Sequence, residues 1–182
     1  MDSRPALDGD PHEVGRRVRR LREARGISLS ELARRAGVGK ATLSGVETGQ
    51  RNPTLDTLWA ITAQLGVPFA AILDPEPGVV HGVVRGAVVE ATPLEVFHER
   101  GATFELYRLS VPPGAAQTSP AHHAGVTEHI TVFHGTLLAG PADAPLRAGP
   151  GEHISWRSDV PHSYQAAGTE TVAATLLIRY PV

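Results

Sequence analysis

The sequence predicts an α+β chain of two domains, helical at the N-terminus and all-β at the C-terminus. Three observations carry that expectation. Apolar residues recur every three or four positions from Val14 to Leu65, the period of helices with one buried face. Beyond residue 79 this period gives way to short β-rich runs separated by Pro and Gly clusters. Between the two lies DPEPG at 74–78, a turn-forming stretch of Pro, Gly and acids. The expected boundaries are a flexible tail over 1–10, a helical domain over 11–74, a linker over 75–78 and a β domain over 79–182.

The helical elements follow in order. Val14, Val18 and Leu21 share one face of an opening helix over 12–25 whose outer face is Arg-rich. Ser28 and Glu31 fit a capping box, so a second helix starts there. Leu32, Ala33 and Ala36 form its apolar stripe, and Gly37 stops it. Leu43 and Val46 face inward on a third helix that Gly49 closes. Pro53 enforces a break and Thr54 caps a fourth helix with Leu55, Leu58, Ile61, Thr62 and Leu65 inside, ended by Gly66 and Pro68. A short helix, a tight Gly turn and a second short helix over 28–53 are the parts that lay one helix into a DNA major groove.

Charge is consistent with a phosphate partner. Between His12 and Asn52 there are ten Arg or Lys (16, 17, 19, 20, 22, 25, 34, 35, 40, 51) against four Glu (13, 23, 31, 47), a balance of +6 in a chain whose total is −2. The runs LSELARRAGV, TLSGVETGQRNPTLDTL and LGVPFAAIL, within residues 12–74, resemble the lambda-repressor-like, xenobiotic-response-element (XRE) family of helix-turn-helix transcriptional regulators. The resemblance implies a five-helix domain that binds a double-stranded DNA operator, with the third helix, about Lys40–Glu47, reading bases. Carried over residue by residue, it puts Lys40, Ala41, Thr42, Ser44 and Gly45 on the reading side and Arg51 and Asn52 against phosphates at the helix exit. Ala41 and Gly45 replace the longer polar residues frequent there, which moves weight from direct readout to DNA shape. Leu29 stands where many relatives carry a phosphate-contacting Gln. Glu47 and Arg22 match a structural ion pair of the family.

In the β domain the runs are VVHGVVRGAVVEA, TFELYRLSV, HITVFHGTLLAG, HISWRS and ETVAATLLIRYPV, with turns at 112–114, 140–145 and 149–151. Many short strands with regular turns mean a sandwich or barrel. Six of the nine histidines fall between 122 and 162. Gly114, His123, Glu128 and Gly135, then Gly151–Glu152 and Pro161–His162, resemble the two motifs of the cupin family. That resemblance implies a double-stranded β-helix barrel with a pocket between its sheets.

The metal ligands expected are His123, Glu128 and His162. Strand alternation turns the adjacent His122 away, so it joins only through a local bulge. Two His and one carboxylate suit iron, zinc, nickel or manganese. Tyr107, Trp156 and Tyr164 are the expected pocket wall, and strand alternation sets Arg108 on the face opposite Tyr107. His129 and His134 are expected to point outward or to lie behind the ligands, and His81, His98 and His153 to lie at the surface.

The function expected is a transcriptional regulator, not an enzyme, whose barrel senses a small-molecule effector or a metal and modulates operator binding. It should act as a homodimer joined through barrel edges, because one recognition helix contacts too little DNA. The alternative is a non-haem iron enzyme of the fosfomycin-type epoxidase kind, and a third reading makes the barrel a dimerisation module only. The chain has no Cys, no apolar run long enough to span a membrane and no signal sequence in MDSRPALDGDP, so a cytoplasmic location is expected.

Overall fold

In the structure, a computed structural model, residues 11–72, 84–85 and 88–181 are described. The expected tail over 1–10, the linker over 75–78 and the start of the β domain, with His81, lie outside them.

Among the described residues four α-helices come first: α1 (Pro11–Ala24), α2 (Leu29–Arg35), α3 (Lys40–Glu47) and α4 (Leu55–Leu65). Their limits follow the local chemistry. The Ser28 side chain accepts from Glu31 N at the start of α2, but the Glu31 carboxylate turns to Arg34 and Arg35, so only half of the capping box forms. Thr54 caps α4 by accepting from Thr57 N. Gly66 ends α4 in the left-handed region at φ 63°, where a side chain would be strained. The fifth helix of the family is here a single 3-10 turn, Phe69–Ile72. Pro68 initiates it, and Phe69 and Ile72, three apart and both fully buried, match the 3-10 period of three.

Helix α1 crosses α3 at a glycine. A Cβ on Gly15 would collide with the Val46 carbonyl, so only Gly permits this approach. Across the same contact Arg22 holds Glu47 in a two-pronged pair, Nε to Oε1 at 2.7 Å and Nη2 to Oε2 at 2.8 Å, and its Nη1 donates to Ile27 O at 3.0 Å. The two side chains are 11% and 6% exposed, which makes the pair a structural clamp and not a DNA contact. Glu47→Ala leaves the Arg22 guanidinium nearly buried and unpaired, and is expected to lower unfolding free energy by about 3 kcal/mol. Chemical denaturation checks this; a loss within experimental error would make the clamp dispensable.

Ten antiparallel strands follow among the described residues: β1 (Val84–Arg85), β2 (Glu90–Glu99), β3 (Ala102–Val111), β4 (Ala116–Ser119), β5 (Thr127–His134), β6 (Leu137–Pro141), β7 (Leu146–Ala148), β8 (His153–Arg157), β9 (His162–Ala166) and β10 (Val172–Pro181). They form a six-stranded sheet, β1-β2-β3-β10-β5-β8, and a four-stranded sheet, β4-β9-β6-β7. This is the two-sheet barrel that the cupin resemblance implies. Strands β3 and β10 alternate as pleated strands must, with Glu105, Tyr107 and Leu109 of one and Leu176, Ile178 and Tyr180 of the other buried. Arg108 is exposed opposite Tyr107, as alternation requires.

Strand β2 was not legible beyond Ala91 because Pro93 interrupts it. The chain accommodates Pro93 at a register shift between Pro93 and Glu95. Strands β4, β7 and β9 are too short for their alternation to register. The buried apolar residues of the helices and the barrel form one continuous cluster.

Candidate functional site

Two regions carry chemistry, and the first is the exposed side of the helical domain. Lys40 and Ala41 at the start of α3 are exposed, as are Arg51 and Asn52 in the exit loop, while Thr42, Ser44 and Gly45 are half-buried. Arg51 folds back onto α3: its N–H donates to Gly45 O at 3.0 Å and its Nη1 to Thr42 Oγ1 at 2.8 Å. A Cβ on Gly45 would sit 3.1 Å from Arg51 Cβ, so Gly45 is the seat on which the exit loop rests. The four Glu of this domain are all paired with Arg: Glu13 with Arg16 and Arg17, Glu23 with Arg19, Glu31 with Arg34 and Arg35, and Glu47 with Arg22. Among the described residues Arg20, Arg25, Lys40 and Arg51 form no ion pair, so their charge is available to an external anion.

The second region is inside the barrel. His122, Glu128 and His162 each bring a ligand atom to one place, all within 4.8 Å of one another. His122 Nε2 is 3.0 Å and His162 Nε2 3.2 Å from the same Glu128 oxygen, Oε1. The other oxygen, Oε2, accepts from the Tyr164 hydroxyl. Glu128 and His162 are placed by inward positions of β5 and β9.

The structure corrects one expected ligand. His123 is not in the cluster, and His122 is. The two stand in the turn after β4, where strand alternation does not apply. His122 is anchored there by its N–H on Ser158 O at 2.9 Å and points inward, while the His123 ring lies against Tyr180 with centroids 5.9 Å apart. Of the other histidines, His98, His134 and His153 are exposed, and His129 is half-buried on the outer face beside His153.

The donor set fits a divalent cation. His162 Nδ1 lies 2.9 Å from Val160 O, and a carbonyl only accepts, so the proton of the neutral ring sits on Nδ1 and the Nε2 lone pair is free. That Nε2 is buried and has no hydrogen-bond partner, its 3.2 Å approach to Glu128 being poorly directed. Ligands about 2.1 Å from a tetrahedral ion stand about 3.4 Å apart, close to the two His–Glu separations of 3.0 and 3.2 Å. Burial works against the Glu128 carboxylate, but the His162 charge and the His122 hydrogen bond overcome it and hold the group below the usual carboxylate range. Burial also works against charge on His162, and Glu128 beside it reverses that and pushes the imidazole up. A cation at these atoms would take the place of the proton that Glu128 favours on His162.

Around the trio, Tyr107, Trp156 and Tyr164 are buried. Trp156 faces His162 and Tyr164 with ring centroids 6.3 and 6.2 Å away. Tyr107 turns instead to Glu105, donating to its Oε2 at 2.9 Å. Buried side-chain donors without a partner are concentrated nearby: Trp156 Nε1, Ser119 Oγ on the strand position paired with His162, and Ser158 Oγ.

Sequence reasoning missed Glu105 and Tyr180. Their signal was present, since each interrupts the apolar face of an alternating strand. Glu105 is fully buried, and its Oε1 accepts from Ala70 N of the 3-10 turn at 2.6 Å. Burial pushes its carboxyl up, against the pull of the Ala70 N–H and the Tyr107 and Tyr180 hydroxyls. A carboxyl whose folded pKa exceeds its unfolded one costs stability as pH rises above the ordinary value of 4.5. Glu105→Gln is therefore expected to gain stability relative to the parent as pH rises from about 4.5 towards 8. Denaturation at several pH values checks this, and a difference independent of pH would contradict it.

Comparison with known proteins follows the same two regions. Residues 18–72 match the helix-turn-helix family HTH_3. Over 165 residues the chain is 33% identical to the HTH-type transcriptional regulator SutR of Escherichia coli (strain K12), a match that covers 90% of this chain and 93% of that protein. It is 42% identical over 62 residues to the HTH-type transcriptional regulator SinR of Bacillus subtilis (strain 168), covering 34% of this chain and 56% of that protein. A crystal structure of an HTH_3 family transcriptional regulator from Vibrio cholerae superposes with a TM-score of 0.76 at 28% identity, over 95% of this chain and 98% of that one. Among the described residues no helix is long and apolar enough to cross a membrane.

Proposed function

Because this chain belongs to the helix-turn-helix transcriptional regulators, we propose that its barrel is a sensor that binds a divalent metal through His122, Glu128 and His162 and thereby modulates operator binding. The convergence of two imidazole Nε2 atoms on one carboxylate oxygen carries this reading. Zinc, nickel, iron and manganese all suit the donor set. The effector completing the site is a small molecule rich in hydrogen-bond acceptors, to which Trp156 Nε1 and the Ser119 and Ser158 hydroxyls donate. Their lack of partners is the support for that chemistry.

On the DNA side, Lys40, Ala41, Thr42 and Ser44 face the major groove, while Arg51 and Asn52 position phosphates. Gly45 contributes by letting Arg51 lie close to α3. Two copies act as a homodimer, presenting two reading helices to a two-fold operator in the cytoplasm.

The test is direct. A duplex selected by the full-length protein from a random pool is titrated with and without zinc. The reading expects salt-sensitive binding whose affinity zinc changes by about 5-fold or more. Turnover of a substrate with ferrous ion and oxygen, together with salt-insensitive DNA binding, would replace the sensor by a catalyst.

A further inference from the structure

We infer that Glu105 and Tyr180 form a relay that couples the His122–Glu128–His162 site to the DNA-binding domain through the 3-10 turn. The inference rests on the sensor reading and adds the route by which the site acts.

Each step of the route is a contact. The Tyr180 ring meets His122 edge-on, with centroids 5.9 Å apart and an interplanar angle of 82°. Tyr180 and Glu105 are buried diagonal neighbours on the inner face of the paired strands β10 and β3, Ile178 standing opposite Glu105, and the Tyr180 hydroxyl pulls the Glu105 carboxyl down. Glu105 Oε1 accepts from Ala70 N at 2.6 Å. Phe69 and Ile72 of that turn are fully buried, and the Phe69 ring packs edge-on against Trp59 of α4 at 6.1 Å. A shift of His122 onto a cation therefore reaches α4 through groups that have no room to absorb it.

A second fastening lies apart from the first. Gln117 of β4 donates through Nε2 to Asp56 Oδ1 in the first turn of α4, while its Oε1 accepts from Val88 N and Val89 N. Asp56 stands five residues after Arg51, just beyond the exit loop that faces DNA. The Gln117–Asp56 joint can then serve as a pivot. Movement at the Glu105 joint with the Gln117 joint held rotates the helical domain and re-aims α3, and domain rotation is a known means of switching affinity.

A buried carboxylate suits such a joint. It is costly to leave unpaired, so it follows its donors rather than releasing them. Glu105 has no part in the cation's ligand set, and Tyr180 touches that set only through its ring, which Phe retains.

The experiment compares the parent with Tyr180→Phe and Glu105→Gln, full-length, using zinc alone as the probe and the selected duplex as the readout. The parent's duplex affinity is expected to change about 5-fold or more with zinc, and each variant's less than about 2-fold. Zinc stoichiometry and zinc-free duplex affinity should stay at parental values in both. Hydrogen exchange on the parent is the second measurement: zinc should change protection over Phe69–Ile72. Variants that keep the parental zinc response, or unchanged exchange in that turn, overturn the relay while leaving the sensor intact. A parent that binds zinc with no shift in duplex affinity, or binds none, removes the sensor reading and the relay with it.

Discussion

His162→Ala is expected to lose stoichiometric zinc, with affinity reduced by more than about 100-fold, and His122→Ala to behave alike. The reason is geometric. His122 and His162 bring the two Nε2 atoms that face Glu128 Oε1, and no described side chain stands ready to replace either. His123→Ala is the control, since its ring lies on Tyr180 outside the cluster and its loss should leave zinc in place. Tyr164→Phe should have an intermediate effect, about 10- to 100-fold, because it frees the Glu128 oxygen that the phenol orients. Calorimetric titration decides among these. A full metal complement in His162→Ala would show that the ligands lie elsewhere, and loss in His123→Ala alone would restore the order first expected from the sequence.

Lys40→Ala and Arg51→Ala should each weaken operator binding by about 1–2 kcal/mol and reduce the slope of log affinity against log salt by about 1. Both cations are exposed on or beside α3 and neither has a carboxylate partner among the described residues, so each can displace a counterion from DNA without breaking an ion pair. Arg34→Ala should do less, because Arg34 is bonded to Glu31 at 2.8 and 2.9 Å, and its removal exposes that carboxylate's charge to Arg35 alone. Arg51→Ala carries a further consequence. The arginine rests on Gly45 and donates to Thr42, so its loss also frees the exit loop. Unchanged affinity and unchanged salt slope in both variants would remove α3 as the reading helix.

The helical domain was legible almost residue by residue because its signals are local. Ser28, Thr54 and Gly66 act on atoms within four positions of themselves. The pairing of Arg22 with Glu47, 25 positions apart, came from resemblance, and no periodicity contained it. In the barrel, the long alternating strands β3, β5 and β10 stood out, while β2 was hidden by Pro93 and the short strands by their length. The error over His122 and His123 has the same origin. Alternation ends at Ser119, and in the turn beyond it the direction of a side chain depends on which carbonyl captures the backbone, here that of Ser158, 36 residues from His122.

The sequence by itself determined the two domains, the helix limits and the alternation that puts Glu128, Tyr164 and Tyr107 inside the barrel. Tertiary structure alone decided that His122 and not His123 meets Glu128, that Arg51 rests on Gly45, and that Glu105 fastens the barrel to Ala70. The division is physical. Caps, stripes and alternation follow from bonds and periods spanning a few residues, whereas these three contacts need the chain to close on itself, with burial forcing each polar group to find a partner wherever the fold has brought one.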